Sequence, residues 1–145
     1  MFKSILVVCT GNICRSPMAE ALLRRELKAS GIVVGSAGTG ALVGWPADAQ
    51  ALAVASDHGL DISAHRARQA SADLLGASDL ILTLDESHSR WLHQRHPQLR
   101  GRVHKLLKWQ NDADVEDPFQ RPRAAFEQAW ADCEQGVADW VKRLS

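Results

Sequence analysis

The chain has 145 residues, 46% of them hydrophobic, which suits one compact domain spanning 1–145 and offers no linker at which to divide it. Seventeen basic residues balance seventeen acidic ones, so no global field draws the protein to nucleic acid or to an anionic membrane. Any affinity for an anion must be local.

Lys3 to Val8 is rich in Ile and Val and reads as a parallel strand buried on both faces. It is too short for a signal-peptide core and runs into Thr10, Gly11 and Asn12 rather than a cleavage-like site. From Ser16 the spacing of Met18, Ala19, Leu22, Leu23 and Leu27 predicts a helix, with Pro17 near its first turn and Gly31 near its end. Ile32 to Val34, followed by GSAGTG, reads as a second strand entering a flexible loop. Ala47 to His58 reads as a helix closed by Gly59. Leu80 to Leu84 is a third strand, after which Asp85 is placed to cap the helix carrying Trp91 and Leu92. A shorter strand is expected at Val103 to Leu107. The polar stretch KWQNDADVEDPFQRPR has two prolines and no period, and long loops of that kind are often functional. Phe126, Ala129, Trp130, Cys133, Val137, Trp140, Val141 and Leu144 then share one face of a last helix. Alternating strands and helices imply a three-layer α/β fold, a parallel sheet with helices on both sides. No run approaches the length of a membrane helix, and no membrane insertion is expected. Three cysteines without an export signal point to a reducing cytoplasm rather than a disulfide framework.

In such a sheet, ligands sit outside the carboxyl ends of the strands, where Cys9 falls. The loop Cys9-Thr10-Gly11-Asn12-Ile13-Cys14-Arg15 feeds a helix N-terminus, whose unpaired amides attract negative charge. Gly11 and Asn12 tolerate left-handed backbone angles, so the loop is expected to curl into a nest for a tetrahedral oxyanion. Arg15 adds a planar fork that matches two phosphate oxygens. That positive environment is expected to lower the Cys9 thiol from about 8.5 into the range of roughly 3.5 to 7.5 and make it a nucleophile towards phosphorus. The leaving alkoxide or phenoxide then needs a proton, for which Asp117 is the best candidate, with Asp112, Asp114 and Glu116 as local competitors. Pro118 would stiffen the turn and Phe119 would provide an apolar wall that raises the acid and stacks on an aromatic substrate. Ser16 is placed to hydrogen-bond the Cys9 sulfur as a leaving thiolate. No metal or other cofactor is required, because Arg15 and the amides supply the positive field.

CTGNICRSP and EDPF together resemble the low-molecular-weight protein tyrosine phosphatases, with C-x5-R-S-P near the N-terminus and a D-P pair near the C-terminus. GSAGTG, HRARQ and LILTLDES extend the resemblance over nearly the whole chain. It implies a central four-stranded parallel sheet, catalytic roles for Cys9, Arg15 and Asp117, and substrate contacts from Thr10, Gly11, Asn12, Ile13, Cys14, Ser16, Leu42 and Phe119. It further implies that Ser36 and His65 hold Asn12 in a strained conformation through hydrogen bonds. SAGTGALVGWPAD is similar to the bacterial branch tied to exopolysaccharide export, in which the partner is a tyrosine autokinase and Leu42 replaces a bulky aromatic at the rim. Phosphate is then both product and inhibitor. The family often carries phosphorylatable tyrosines beside D-P; this chain contains none, which excludes that regulation.

Three rival readings are weaker. An arsenate reductase of this fold needs a resolving cysteine pair in mid-chain, and none lies between Arg15 and Ala131. A protein-arginine phosphatase uses a threonine where Ile13 stands, and apolar Ile13 favours a phenyl ring. An idle phosphotyrosine-binding module would lack the acid, whereas Asp117 is present. His88, His93 and His96 share one predicted helix, but Arg90 and Arg95 crowd it and disfavour a metal. Cys133 belongs to the apolar stripe, while Cys14 is either a plain loop residue or a trap for oxidised Cys9 as a disulfide.

Overall fold

The computed structural model describes residues 2–144. Strand β1 (Ser4–Cys9) leads into helix α1 (Arg15–Glu26), strand β2 (Val33–Gly38) and helices α2 (Ala49–Asp57) and α3 (Ala72–Gly76). Strand β3 (Leu80–Thr83), helix α4 (Glu86–Arg95), a 3-10 turn (Pro97–Arg102), strand β4 (Val103–Lys105) and helix α5 (Arg123–Leu144) complete the order. The four strands are all parallel and pair in the order β2-β1-β3-β4.

The alternation of side chains along β1 divides the core in two. Ile5 and Val7 face α1, α2 and α5, where they meet Met18, Leu22, Val54, Phe126 and Trp130. Leu6 and Val8 face the other side, against Leu75, Ile81, Leu92 and Leu99 from α3, β3, α4 and the 3-10 turn. Both faces of β1 are therefore covered, which explains its unbroken apolar run. Phe126 is fully buried, and its side chain alone contributes about 3 kcal/mol of transfer free energy. Helix α5 crosses the chain just after β4 so closely that a Cβ on Gly136 would stand 2.9 Å from the Leu106 carbonyl oxygen. That approach lets Trp140 Nε1 donate to the same carbonyl at 3.1 Å.

Parallel register aligns the strand ends. Cys9 pairs with Gly38 and Val8 with Thr83, so the residues following β1, β2 and β3 emerge together at one edge of the sheet. The expected elements lie there with shifted ends. The second strand runs on through Ser36, Ala37 and Gly38, because pairing with β1 overrides the weak propensity of the small residues. The fourth strand stops at Lys105, and Leu106 and Leu107 turn under α5 instead of continuing it. Helix α3 was not expected: five residues are too few to show a period, yet Ser71 accepts from Leu74 N and Leu75 is fully buried.

Candidate active site

The loop after β1 is shaped by its neighbour. Thr39 N donates to the Cys9 carbonyl at 2.9 Å, Gly40 N to Thr10 at 3.1 Å and Leu42 N to Gly11 at 3.1 Å. In a trans peptide the N–H points opposite to the C=O, so the amides of Thr10, Gly11 and Asn12 are directed away from that neighbour. Helix α1 then begins with no side-chain cap and no acidic residue in its first turn, leaving its end positive. Gly38 makes the packing possible, since a Cβ there would lie 2.2 Å from the Thr10 carbonyl oxygen.

Asn12 is the pivot, fully buried with φ 61°, a left-handed angle that asparagine tolerates. Arg68 N donates to Asn12 Oδ1 at 2.9 Å, which fixes the orientation of the amide. Asn12 Nδ2 donates to Ser16 Oγ at 2.7 Å and to Ser36 Oγ at 3.0 Å, and His65 Nε2 donates to the Asn12 carbonyl at 2.6 Å. In the Ser36 bond the asparagine is the donor, and Ser36 Oγ in turn donates to Glu20 Oε1. Because Ser16 Oγ already accepts from Asn12, its hydrogen is free for Cys9 Sγ, 2.8 Å away. Asn12 and Ser16 are buried behind the loop, and neither lines the cavity described below.

Arg15 is held from two directions. Its Nη1 donates to Asp85 Oδ2 at 2.8 Å and to the Val115 carbonyl at 2.7 Å, leaving Nη2 3.8 Å from Asp117 Oδ2. Burial would lower the Arg15 pKa, but the anionic partners around it raise it instead, so the guanidinium is permanently charged. The polar loop before α5 sorts its own carboxylates. Asp114 pairs with Lys105 at 2.6 Å and accepts from Glu86 N, Glu116 pairs with Arg121, and Asp112 offers its carbonyl to Lys105. Asp117 alone of the four lines a cavity of about 190 Å³ together with Cys9, Arg15, Thr10, Gly11, Ile13, Cys14, Gly40, Leu42 and Phe119. Leu42 and Phe119 form an apolar rim, with Phe119 N donating to Asp117 Oδ1 at 3.1 Å and fixing the turn.

Asp85 and His88 join this site from the start of α4. Burial opposes ionisation of Asp85, yet hydrogen bonds from Ser87 and Arg15 hold its carboxyl at about 2. Burial takes His88 down to about 4 against the pull of Asp85, so its ring is neutral in the folded protein at pH 7. The unfolded chain protonates that histidine near 6.5, so acidification from about pH 6.5 to 4 is expected to remove stability on the order of 3 kcal/mol. His104, lowered by burial and by Lys108, acts in the same direction, and protonation of Asp85 extends the loss from about pH 4 to 2. Urea unfolding across pH 7.5 to 4 checks this: His88→Gln is expected to show a shallower decline than the wild type. Equal slopes would mean the ring is not held neutral.

Residues 4–145 match the family described as low molecular weight phosphotyrosine protein phosphatase. The chain belongs to that family. It is 48% identical over 144 residues to the probable low molecular weight protein-tyrosine-phosphatase EpsP of Ralstonia solanacearum, covering 99% of this chain and 97% of that one. The solved structure of the tyrosine phosphatase Wzb from Escherichia coli K30 with sulphate superposes with a TM-score of 0.95 at 38% identity, covering 100% of both chains. Vibrio vulnificus Wzb in complex with benzylphosphonate gives 0.94 at 35% identity over 99% of each. Proteins so named are hydrolases, and the four-stranded fold is that of low molecular weight phosphotyrosine phosphatases. GSAGTG and HRARQ contain Gly38 and Arg68 without disclosing what they do, and neither the part of Glu20 nor the second use of Asp85 is visible in the family motifs. The one signal for the last was D-x-x-H directly after β3, a capping box in which the His88 ring replaces the usual Glu or Gln.

Proposed function

We propose that the chain hydrolyses phosphotyrosine through a phosphocysteine intermediate, with Cys9, Arg15 and Asp117 as its catalytic residues. The observation that carries this reading is that these three, 117 and 9 being far apart in sequence, line one small cavity between an amide loop and an apolar rim. Cys9 Sγ attacks phosphorus, the P–O bond breaks, and Asp117 gives its proton to the leaving phenolate. Arg15 and the loop amides stabilise the equatorial oxygens as charge spreads over them. In the second step Asp117 takes a proton from water as its oxygen bonds to phosphorus, the S–P bond breaks, and Ser16 donates to the restored thiolate. Orthophosphate leaves as product and competes with substrate for the same cradle. Ile13, Leu42 and Phe119 select a flat aromatic leaving group.

The substrate we infer is a tyrosine autokinase that drives exopolysaccharide or capsule assembly, met in the cytoplasm. Support comes from the resemblance of SAGTGALVGWPAD to the exopolysaccharide branch and from the 48% identity to EpsP. The decisive comparison uses peptides bearing phosphotyrosine, phosphoserine or phosphoarginine. A kcat/KM for phosphotyrosine at least about a hundredfold above both others is expected, and a preference for phosphoarginine would transfer the assignment to the arginine-phosphatase reading. Capture of an autokinase by Asp117→Ala in the native extract tests the partner.

Cys14 lines the same cavity as Cys9, both thiols are free, and burial pushes the Cys14 thiol up. A protonated Cys14 resists oxidation itself, and once Cys9 is oxidised by peroxide the pair can condense, sulfenic acid and thiol giving a disulfide and water, at a rate limited by the small thiolate fraction of Cys14. After peroxide and then dithiothreitol, the wild type is expected to regain more activity than Cys14→Ser. Equal recovery would remove the protective role.

A further inference from the structure

The neutral ring of His88 ties the first residue of the amide loop to the anchor of its last. His88 is buried, and Asp85 N donates to its Nδ1 at 3.2 Å; a backbone N–H can only donate, so the neutral ring carries its hydrogen on Nε2. Nε2 lies 2.9 Å from Thr10 Oγ1 and therefore donates to that hydroxyl. The same Asp85 whose N–H fixes the ring holds Arg15 through Oδ2, and its Oδ1 accepts from Ser87 Oγ and His88 N. Thr10 and Arg15, the two ends of the loop, are thereby referred to one rigid point at the start of α4.

On the phosphatase reading above, we propose that His88 is a positioning residue that, through Thr10 Oγ1, holds the Cys9–Thr10 end of the loop in its oxyanion-binding form. The gain is preorganisation: amides already fixed in place lose less freedom when the charge develops. His88 touches no reacting atom. Its effect is expected mainly in kcat and in affinity for a trigonal-bipyramidal mimic, with less change in KM. The groups facing the ring are Asp85 on its own helix, Arg15 from α1, and Asp114 and Asp117 from the acid loop.

The test compares wild type, Thr10→Val, His88→Leu, the double variant and His88→Gln for p-nitrophenyl phosphate hydrolysis and orthovanadate inhibition. Thr10→Val removes one hydroxyl from a solvent-facing residue and keeps the fold whatever happens at the buried site. Thr10→Val and His88→Leu are each expected to lower kcat and weaken vanadate inhibition about three- to tenfold, the worth of one hydrogen bond. The double variant is expected to be no worse than the poorer single one, and His88→Gln, which keeps a terminal N–H, to recover most of the loss. Wild-type kcat and vanadate inhibition in Thr10→Val, or losses that multiply in the double variant, would overturn the proposal while leaving the phosphatase reading intact. A wild type that neither turns over nor binds vanadate would remove both.

Discussion

Cys9→Ser is expected to abolish turnover, lowering kcat for phosphotyrosine and for p-nitrophenyl phosphate by at least about a thousandfold. The reason lies in what surrounds Sγ. Its side-chain partner is the Ser16 hydroxyl at 2.8 Å, a group that stabilises an anion once formed but is not a base able to deprotonate an alcohol. Sulfur ionises without such a base; a serine hydroxyl does not. The substitution changes little else, because position 9 is the last residue of a strand and the carbonyl that bonds Thr39 N is untouched. Orthovanadate should therefore still bind, and circular dichroism should be that of the wild type. Turnover within tenfold of wild type would place the nucleophile elsewhere.

Asp117→Asn is the second large effect, and its size should depend on the leaving group. For phosphotyrosine, whose phenolate needs a proton, the loss is expected to be about a hundred- to a thousandfold; for p-nitrophenyl phosphate, whose phenolate leaves unaided, it should be much smaller in the first step. The fold should be unaffected. Asp117 is half exposed, and its contact with Arg15 is a long 3.8 Å, of the kind that contributes little to stability. Because the same carboxylate serves as base in the second step, the variant should also accumulate phosphoenzyme from p-nitrophenyl phosphate, whose first step is largely spared. Equal losses on the two substrates would shift the acid to another group, and Asp114, neutralised by Lys105, is a poor alternative.

How far the site could be read from the chain depends on how far apart its parts lie. Cys9 to Arg15 is one contiguous loop between a buried strand and a helix, so residue type and spacing suffice to read it. Asp117 was legible as the best candidate of four acids, from Pro118, Phe119 and the D-P resemblance, while what occupies its neighbours is decided across space: Asp114 pairs with Lys105, Glu116 with Arg121, and Arg15 bonds the Val115 carbonyl two residues before Asp117. Asp85 was legible as a helix cap, a local property, but its bond to Arg15 spans 70 positions. His88 was read with the other histidines of its helix, whereas its ring bonds Thr10, 78 positions away. The fold follows the same division. Long amphipathic helices such as α5 carry a strong period, while a five-residue helix like α3 carries none and is made by the cap at Ser71 and the burial of Leu75.

The chemistry turns on a bond between the Cys9 sulfur and phosphorus. The most direct test mixes wild type or Asp117→Asn with p-nitrophenyl phosphate, whose phenolate leaves without the acid, quenches the reaction in acid within milliseconds, and maps covalent phosphate by mass spectrometry. Phosphate on Cys9 is expected, with a higher occupancy in Asp117→Asn than in the wild type. Product release with no phosphorylated cysteine at any quench time, or phosphate on another side chain, would contradict it.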